Sequence, residues 1–129
     1  MTALSESIAV ARGMVEQVRE VASRATPGPW KLWGMQVLAD LDGTSNVDTA
    51  EMVAHTTGRP SDALRTWNAS HIAAHDPASV LADCDRMVRL LDVAESLETF
   101  GTGWTAATLV DVVTGWALGH GATRPEVAG

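Results

Sequence analysis

Two histidines four residues apart are the side chains of this sequence whose type and spacing point most directly to chemistry. His71 and His75 lie in a segment with a helical pattern, where residues i and i+4 share a face, so both imidazoles could bind one metal ion. No glutamate stands between them as in the His-Glu-x-x-His arrangement, and Asp76 is suited to a helix N-cap. We interpret the pair as structural, bonding backbone groups at a corner between helices, and predict no metal and no cofactor. A metal-dependent enzyme using His71 and His75 is an alternative.

Tryptophan is the second unusual feature, since five of the six aromatic residues are Trp and none is Tyr. Trp serves both as a core residue and as a binding anchor. Trp30 and Trp33 lie three apart on a predicted strand, so their side chains should point to opposite sides and one can stay near the surface. We do not expect all five indoles to be buried in so small a domain. The candidate binding residues are Trp30, Trp33, Trp67, His71 and His75.

The sequence lacks the common catalytic motifs, and the residues that could belong to such a motif have structural explanations. Cys84 lies on the apolar stripe of a predicted helix between Asp83 and Asp85, which disfavour a reactive thiolate, so we predict a core cysteine. The segment 101–103 lacks the third glycine and the lysine of a phosphate loop. No serine occupies a Gly-x-Ser-x-Gly elbow. We therefore predict a protein that is not an enzyme and has no catalytic residues.

Charge and composition narrow the class of partner. The formal net charge is −7 and the nine basic residues are scattered, whereas proteins that bind phosphate backbones cluster them, so we predict no nucleic-acid partner. No run approaches the roughly 18 apolar residues of a membrane span, and the N-terminus lacks the features of a signal peptide. The single cysteine excludes an internal disulfide and suits a reducing compartment. We expect a soluble, cytoplasmic protein with no membrane contact.

The first half of the chain is divided by its periodicity and its prolines. Apolar residues recur at helical spacing from Leu4 to Ala22, which predicts an amphipathic helix over 3–24 that ends before Pro27. The residues that follow predict a small antiparallel sheet of two or three strands. These strands are 30–33, 36–40 and, in the three-stranded alternative, 51–55.

Helix-start signals divide the second half. Ser61 is a good N-cap, and Asp76 followed by Pro77 is a stronger start signal. Helices are predicted over 62–74, 77–98 and 105–118, the last ending at Gly119, with a mobile tail over 121–129. Helices segregated from a small sheet predict an α+β fold. We expect one domain over 1–120.

Two segments, in this order, resemble signatures of a known family. Residues 25–30 read Ala-Thr-Pro-Gly-Pro-Trp after the predicted N-terminal helix. Residues 68–81 read Asn-Ala-Ser-His-Ile-Ala-Ala-His-Asp-Pro-Ala-Ser-Val-Leu. Both are similar to segments of an uncharacterised domain-of-unknown-function family of actinobacterial and actinophage proteins. The resemblance covers residues 3–95.

The chain departs from the pattern of this family towards its C-terminus. The family has a Lys-Arg pair where this chain has Arg86 and Arg89, and an aromatic tail containing Asp-His-Pro where this chain has Gly119, His120 and Gly121. Because the family has no known activity, the resemblance implies context rather than chemistry. That context is a phage or prophage accessory protein, in the host cytoplasm if phage-encoded, that acts by binding.

Two further hypotheses of function stand beside the metal-dependent enzyme. The first is a non-enzymatic accessory protein that binds a host or phage protein through the long helix 77–98 and exposed tryptophans, with a homodimer through helix 3–24 as one form of assembly. The alternative is a protein that binds or sequesters a nucleotide-like ligand by stacking on Trp30 or Trp33, near an arginine. An exposed apolar patch would favour the first hypothesis, and a deep pocket lined by Trp and Arg the second. In the second hypothesis, the arginine near the stacked ligand is Arg59 or Arg65.

Overall fold

The computed structural model of this protein describes residues 3–25, 30–33, 36–39, 51–55, 63–101 and 103–125. Within them one helix is followed by three strands and then by three helices, which confirms the predicted α+β class. The strand over 51–55, an alternative from sequence, is present. Helix bounds differ from the predicted ones by at most two residues, the usual uncertainty at helix ends. The elements are α1 (Ala3–Arg24), β1 (Trp30–Trp33), β2 (Gln36–Ala39), β3 (Glu51–His55), α2 (Ala63–Ala74), α3 (Pro77–Thr99) and α4 (Gly103–Gly119).

α1 buries a stripe with the alternating three- and four-residue spacing of a helix packed lengthwise on another helix. The partner is α3, where the Cys84 thiol lies 3.9 Å from the carbonyl oxygen of Val15. The spacing of the apolar residues therefore accounts both for the helix and for the face that it buries. The buried stripe of α1 is Ile8, Ala11, Val15, Val18 and Ala22, with Met14 buried beside it, and the buried residues of α3 are Pro77, Cys84, Leu91 and Ala94.

Two arginines of α1 show the direction in which α3 runs. The side chain of Arg12 lies 2.9 Å from Asp92, and that of Arg19 lies 3.0 Å from Asp85. An advance of seven residues along α1 therefore corresponds to a step back of seven along α3, and the two helices are antiparallel. The ion pairs are exposed and contribute only about 0.2–1 kcal/mol each, so the apolar stripe supplies most of the stability.

The three strands form an antiparallel sheet in sequence order. β1 and β2 pair with Trp30 opposite Ala39 and Trp33 opposite Gln36, so two residues separate the strands, the spacing of a tight hairpin. α2 contacts all three strands. The sheet with α2 therefore forms a packed layer pair.

The middle strand contributes the apolar part of this layer. Val37, Leu38 and Ala39 of β2 are all buried, so both faces of the strand are covered. The pairing of β2 with β3 shifts between Val37 and Leu38, which leaves Val53 as the extra residue of a bulge.

Two residues after the end of α3, and again two residues after the end of α4, stands a glycine that an L-residue could replace only with strain. Gly101 and Gly121 have φ of 82° and 89°. After α4, the N–H groups of Gly121 and Ala122 donate to Leu118 and Ala117 at 3.1 and 3.0 Å, which is the Schellman arrangement. Ala117 and Ala122 are both buried, as the apolar contact of that motif requires.

The chain divides into two compact units. One contains residues 1–21 and 82–129, and so most of α1, α3 and all of α4; the other contains residues 22–81, with the sheet and α2. The single domain over 1–120 and the mobile tail over 121–129 stay predictions.

Of the helices described, none combines the length and the apolar character needed to cross a membrane.

Candidate functional site

Asp76 is the one buried charged side chain among the described residues. Its Oδ1 accepts the N–H of Ser79 at 2.8 Å and its Oδ2 accepts the N–H of Trp30 at 3.2 Å. The Ser79 bond is that of an N-cap, and Val80 N–H donates to the Asp76 carbonyl as the first turn of α3 requires. Burial acts to raise the pKa of the Asp76 carboxyl, but the hydrogen bonds from Ser79 and Trp30 outweigh it and lower that pKa. The predicted N-cap is confirmed.

The two candidate histidines lie at the C-terminal end of α2 with exposed side chains. His75 Nδ1 is 2.9 Å from the carbonyl oxygen of His71, and the ring centroids are 4.5 Å apart. Because a carbonyl oxygen only accepts, Nδ1 of His75 carries the proton and donates to the last turn of the helix. This geometry supports the structural interpretation of the pair.

The same device recurs at the end of α4. His120 Nδ1 is 2.9 Å from the carbonyl oxygen of Trp116, and its ring centroid lies 4.4 Å from the Trp116 ring. In both helices the histidine follows the last helical residue and bonds the carbonyl four residues earlier. The Trp116 carbonyl also accepts the backbone N–H of His120 at 3.2 Å. A side-chain donor to a carbonyl of the last helical turn is a helix cap and needs no ligand.

Two other sites of possible chemistry are also accounted for by structure. Cys84 is fully buried, as predicted. Burial chiefly raises the pKa of its thiol; the charge of Arg19 acts to lower that pKa, and the charges of Glu16 and the two neighbouring aspartates act to raise it. Such a thiol is a poor nucleophile. Among the described residues, no group of three or more His, Cys, Asp and Glu side chains could hold a metal ion.

The candidate tryptophans lie apart in the chain, and the side chains of two of them lie outside the described part of the structure. Trp30 opens β1, is half-buried, and bonds Asp76 through its backbone. Trp33 ends β1 and Trp67 lies in α2, but both side chains lie outside the described part of the structure. The nucleotide hypothesis also used Arg59 and Arg65; residue 59 and the Arg65 side chain fall outside that part too.

The strongest surface feature is an aromatic pair that the sequence reasoning did not select. Phe100 and Trp104 flank the connection between α3 and α4, and their exposed fractions are 82% and 84%. Gly101, with its positive φ, turns the chain between them, and its N–H donates to the Glu98 carbonyl at 3.1 Å. We call these two residues the aromatic corner. Its exposure confirms that the five tryptophans are not all in the core.

The outer side of α4 extends this apolar character. Val112 and Leu118 are 52% and 42% exposed, and Asp111 is the only charged residue in the helix. A helix that is apolar on nearly all sides usually has all sides covered. The near absence of charged residues from α4 is the sequence feature that could have indicated the aromatic corner, because a solvent-exposed helix face usually carries several charges.

Comparison with known proteins identifies a family. A family model described as a family of unknown function, DUF6221, matches residues 11–120. The match extends beyond residue 95, where the resemblance of the two sequence signatures ends. Comparison with curated proteins gave no match. Comparison with solved structures gave none either.

Proposed function

The chain belongs to the family of unknown function DUF6221, whose model matches residues 11–120, and from that premise we propose that it is a non-enzymatic protein that binds another protein through the aromatic corner. The observation that carries this proposal is the exposure of Phe100 at 82% and Trp104 at 84%. Large aromatic side chains are usually covered in a monomer, and Trp is among the residues most enriched as binding anchors.

The energy available from covering this corner is sufficient for a specific contact. Each large aromatic side chain can bury about 150–250 Å². At about 25 cal/mol per Å², that corresponds to a gross gain of about 4–6 kcal/mol per side chain. Immobilising the partners offsets much of the gain. A net contribution of about 2 kcal/mol or more from Trp104 is the usual size for an anchor.

The backbone around the corner favours a preformed contact. α3 ends in a capped turn at Gly101, and α4 begins at Gly103, so helices fix both sides of the connection. A rigid anchor loses little conformational entropy on binding.

The partner we propose is a host or phage protein, and the biological role we propose is a phage or prophage accessory protein in the host cytoplasm.

The test compares two single variants with the wild-type protein in affinity capture from a host lysate, followed by mass spectrometry. Trp104→Ala removes the anchor, and Val21→Ala removes part of an apolar side chain that is 70% exposed on α1. Both should fold with stability changes within about 0.5 kcal/mol, because both sites are at the surface. We expect the same specific partner with wild type and Val21→Ala, and its loss with Trp104→Ala. Equal capture by all three would refute the proposal.

A further inference from the structure

The C-terminal segment is held on α1 by a side chain that recognises only its backbone. Gln17 Nε2 donates to the Thr123 carbonyl at 3.0 Å, and Thr123 N–H donates to Gln17 Oε1 at 3.0 Å. An extended residue directs its N–H and C=O to the same side, so one amide group can bond both, as a neighbouring strand would. These two bonds ignore the identity of the Thr123 side chain. Gln17 can therefore hold any extended residue except proline.

Open space remains on both sides of the seated segment. A groove of about 450 Å³ lies between the start of α1 and the side of α4, with Val10 and Val110 in its lining. A second groove of about 360 Å³ runs along α1 over Gly13 and Met14. Pro125 lines both. We call the two together the α1 groove; its volume is in the range of ligand sites, and the described residues of this chain fill only part of it.

Gly13 is an exposed residue in the interior of helix α1 and lines the second groove. Glycine is among the least favourable residues there. A Cβ placed on Gly13 would meet nothing within 4 Å, so no contact among the described residues requires glycine. Close approach of another backbone would require it.

The charges of the groove indicate the chemistry of its occupant. Glu6 and Asp111 line the same space as Arg124. An acidic lining suits a basic residue, and Pro125 beside Arg124 shows that proline fits the next position.

We propose that the α1 groove binds an extended peptide segment of a partner protein, with a basic residue followed by proline, in the place that Thr123–Pro125 occupies in this structure. The chain's own segment then acts as an internal competitor held by the Gln17 pair. This inference is independent of the aromatic corner, because the residues that carry it lie on α1, on the flank of α4 and in the segment after it.

The test is a nuclear magnetic resonance titration of the full chain with the capped peptide Ala-Thr-Arg-Pro, the sequence of residues 122–125. Thr123→Pro removes the N–H that donates to Gln17 and so weakens the internal competitor. We expect the peptide to shift amide signals of α1, and to bind this variant about fivefold more tightly than wild type, the effect of about one hydrogen bond. Adding Gln17→Ala should reverse that gain.

Two glycine variants in the Thr123→Pro background separate binding from stability. Gly13→Ala should raise the melting temperature, since alanine favours a helix, and weaken peptide binding, since its methyl group would project into the lined space. Gly115→Ala is the matched control: it lies in α4, also with open space around it, and should raise the melting temperature without changing binding.

Several outcomes would overturn the inference. They are the absence of α1 shifts at millimolar peptide, binding that persists after Gln17→Ala, and equal binding of a peptide with Glu in place of Arg. Concentration-dependent dimerisation of Thr123→Pro without peptide binding would show that the occupant is a second copy. Trp104→Ala should leave peptide binding unchanged, so failure here and failure of the proposed function are distinguishable.

Discussion

The backbone N–H of Trp30 donates to Oδ2 of Asp76 at 3.2 Å, across 46 residues of sequence. The other oxygen of the same carboxylate caps α3 through Ser79. One buried side chain thus fixes the start of a helix and the start of a strand at the same point.

Asp76→Ala should destabilise the protein by about 2 kcal/mol. The loss of an N-cap costs about 1 kcal/mol, and the unpaired Trp30 N–H adds a cost of similar size. Asp76→Asn is the control, because asparagine is an equally good N-cap and should recover about half of the loss. Urea unfolding measures both; a loss of about 1 kcal/mol or less in Asp76→Ala would show that the Trp30 bond contributes nothing.

The contribution of Asp76 should depend on pH in one direction. Its folded-state pKa is lowered, so its stabilisation is fully present above the unfolded value of about 3.9 and is lost as the pH falls through the folded value. The difference in unfolding free energy between wild type and Asp76→Asn should therefore be constant near neutral pH and shrink below about pH 4. A difference that grows on acidification would contradict this sign.

Gly121→Ala should destabilise by about 1 kcal/mol, because φ at this position is 89° and alanine is strained there. A clash is not the cause, since a Cβ would meet nothing within 4 Å. Gly119→Ala is the matched control: it lies in the last helical position with the same open surroundings and should be neutral or slightly stabilising. Thermal melts of the two variants would test the Schellman cap directly.

The ion pair between Arg19 and Asp85 should contribute little. Their side chains are 30% and 65% exposed, and Arg19 also contacts Glu16. A double-mutant cycle with alanine should give a coupling of about 0.2–1 kcal/mol that falls in high salt. A coupling above about 2 kcal/mol would mean that the pair, and not the apolar stripe, fixes the antiparallel helices.

Zinc should change the melting temperature negligibly, because His75 Nδ1 already donates to the carbonyl of His71. The comparison is wild type and His71→Ala, each with and without the metal. A zinc-dependent rise that disappears in His71→Ala would revive the metal-dependent enzyme, since a ligand that binds only the folded state stabilises it.

The homodimer through α1 also stays a prediction. Sedimentation of the wild-type protein over a concentration series would test it.

The sequence by itself determined the features that depend on neighbours along the chain. The apolar spacing from Leu4 to Ala22 predicted α1 and its buried face, although Leu4 itself is only half-buried, and Asp76 with Pro77 predicted the start of α3. Periodicity and caps act within one or two helical turns, so they can be read locally. Cys84 was predicted to be buried for the same reason.

Only the tertiary structure decided which surfaces remain open and which distant groups meet. Trp104 is exposed because none of the described residues covers the start of α4, and no local pattern of residues indicates which side chains a fold leaves uncovered. The bonds of Trp30 to Asp76 and of Gln17 to Thr123 join residues 46 and 106 positions apart. In each of these bonds one partner is a backbone group. The residue type at that position does not reveal such a partner, so the sequence could not indicate the bond.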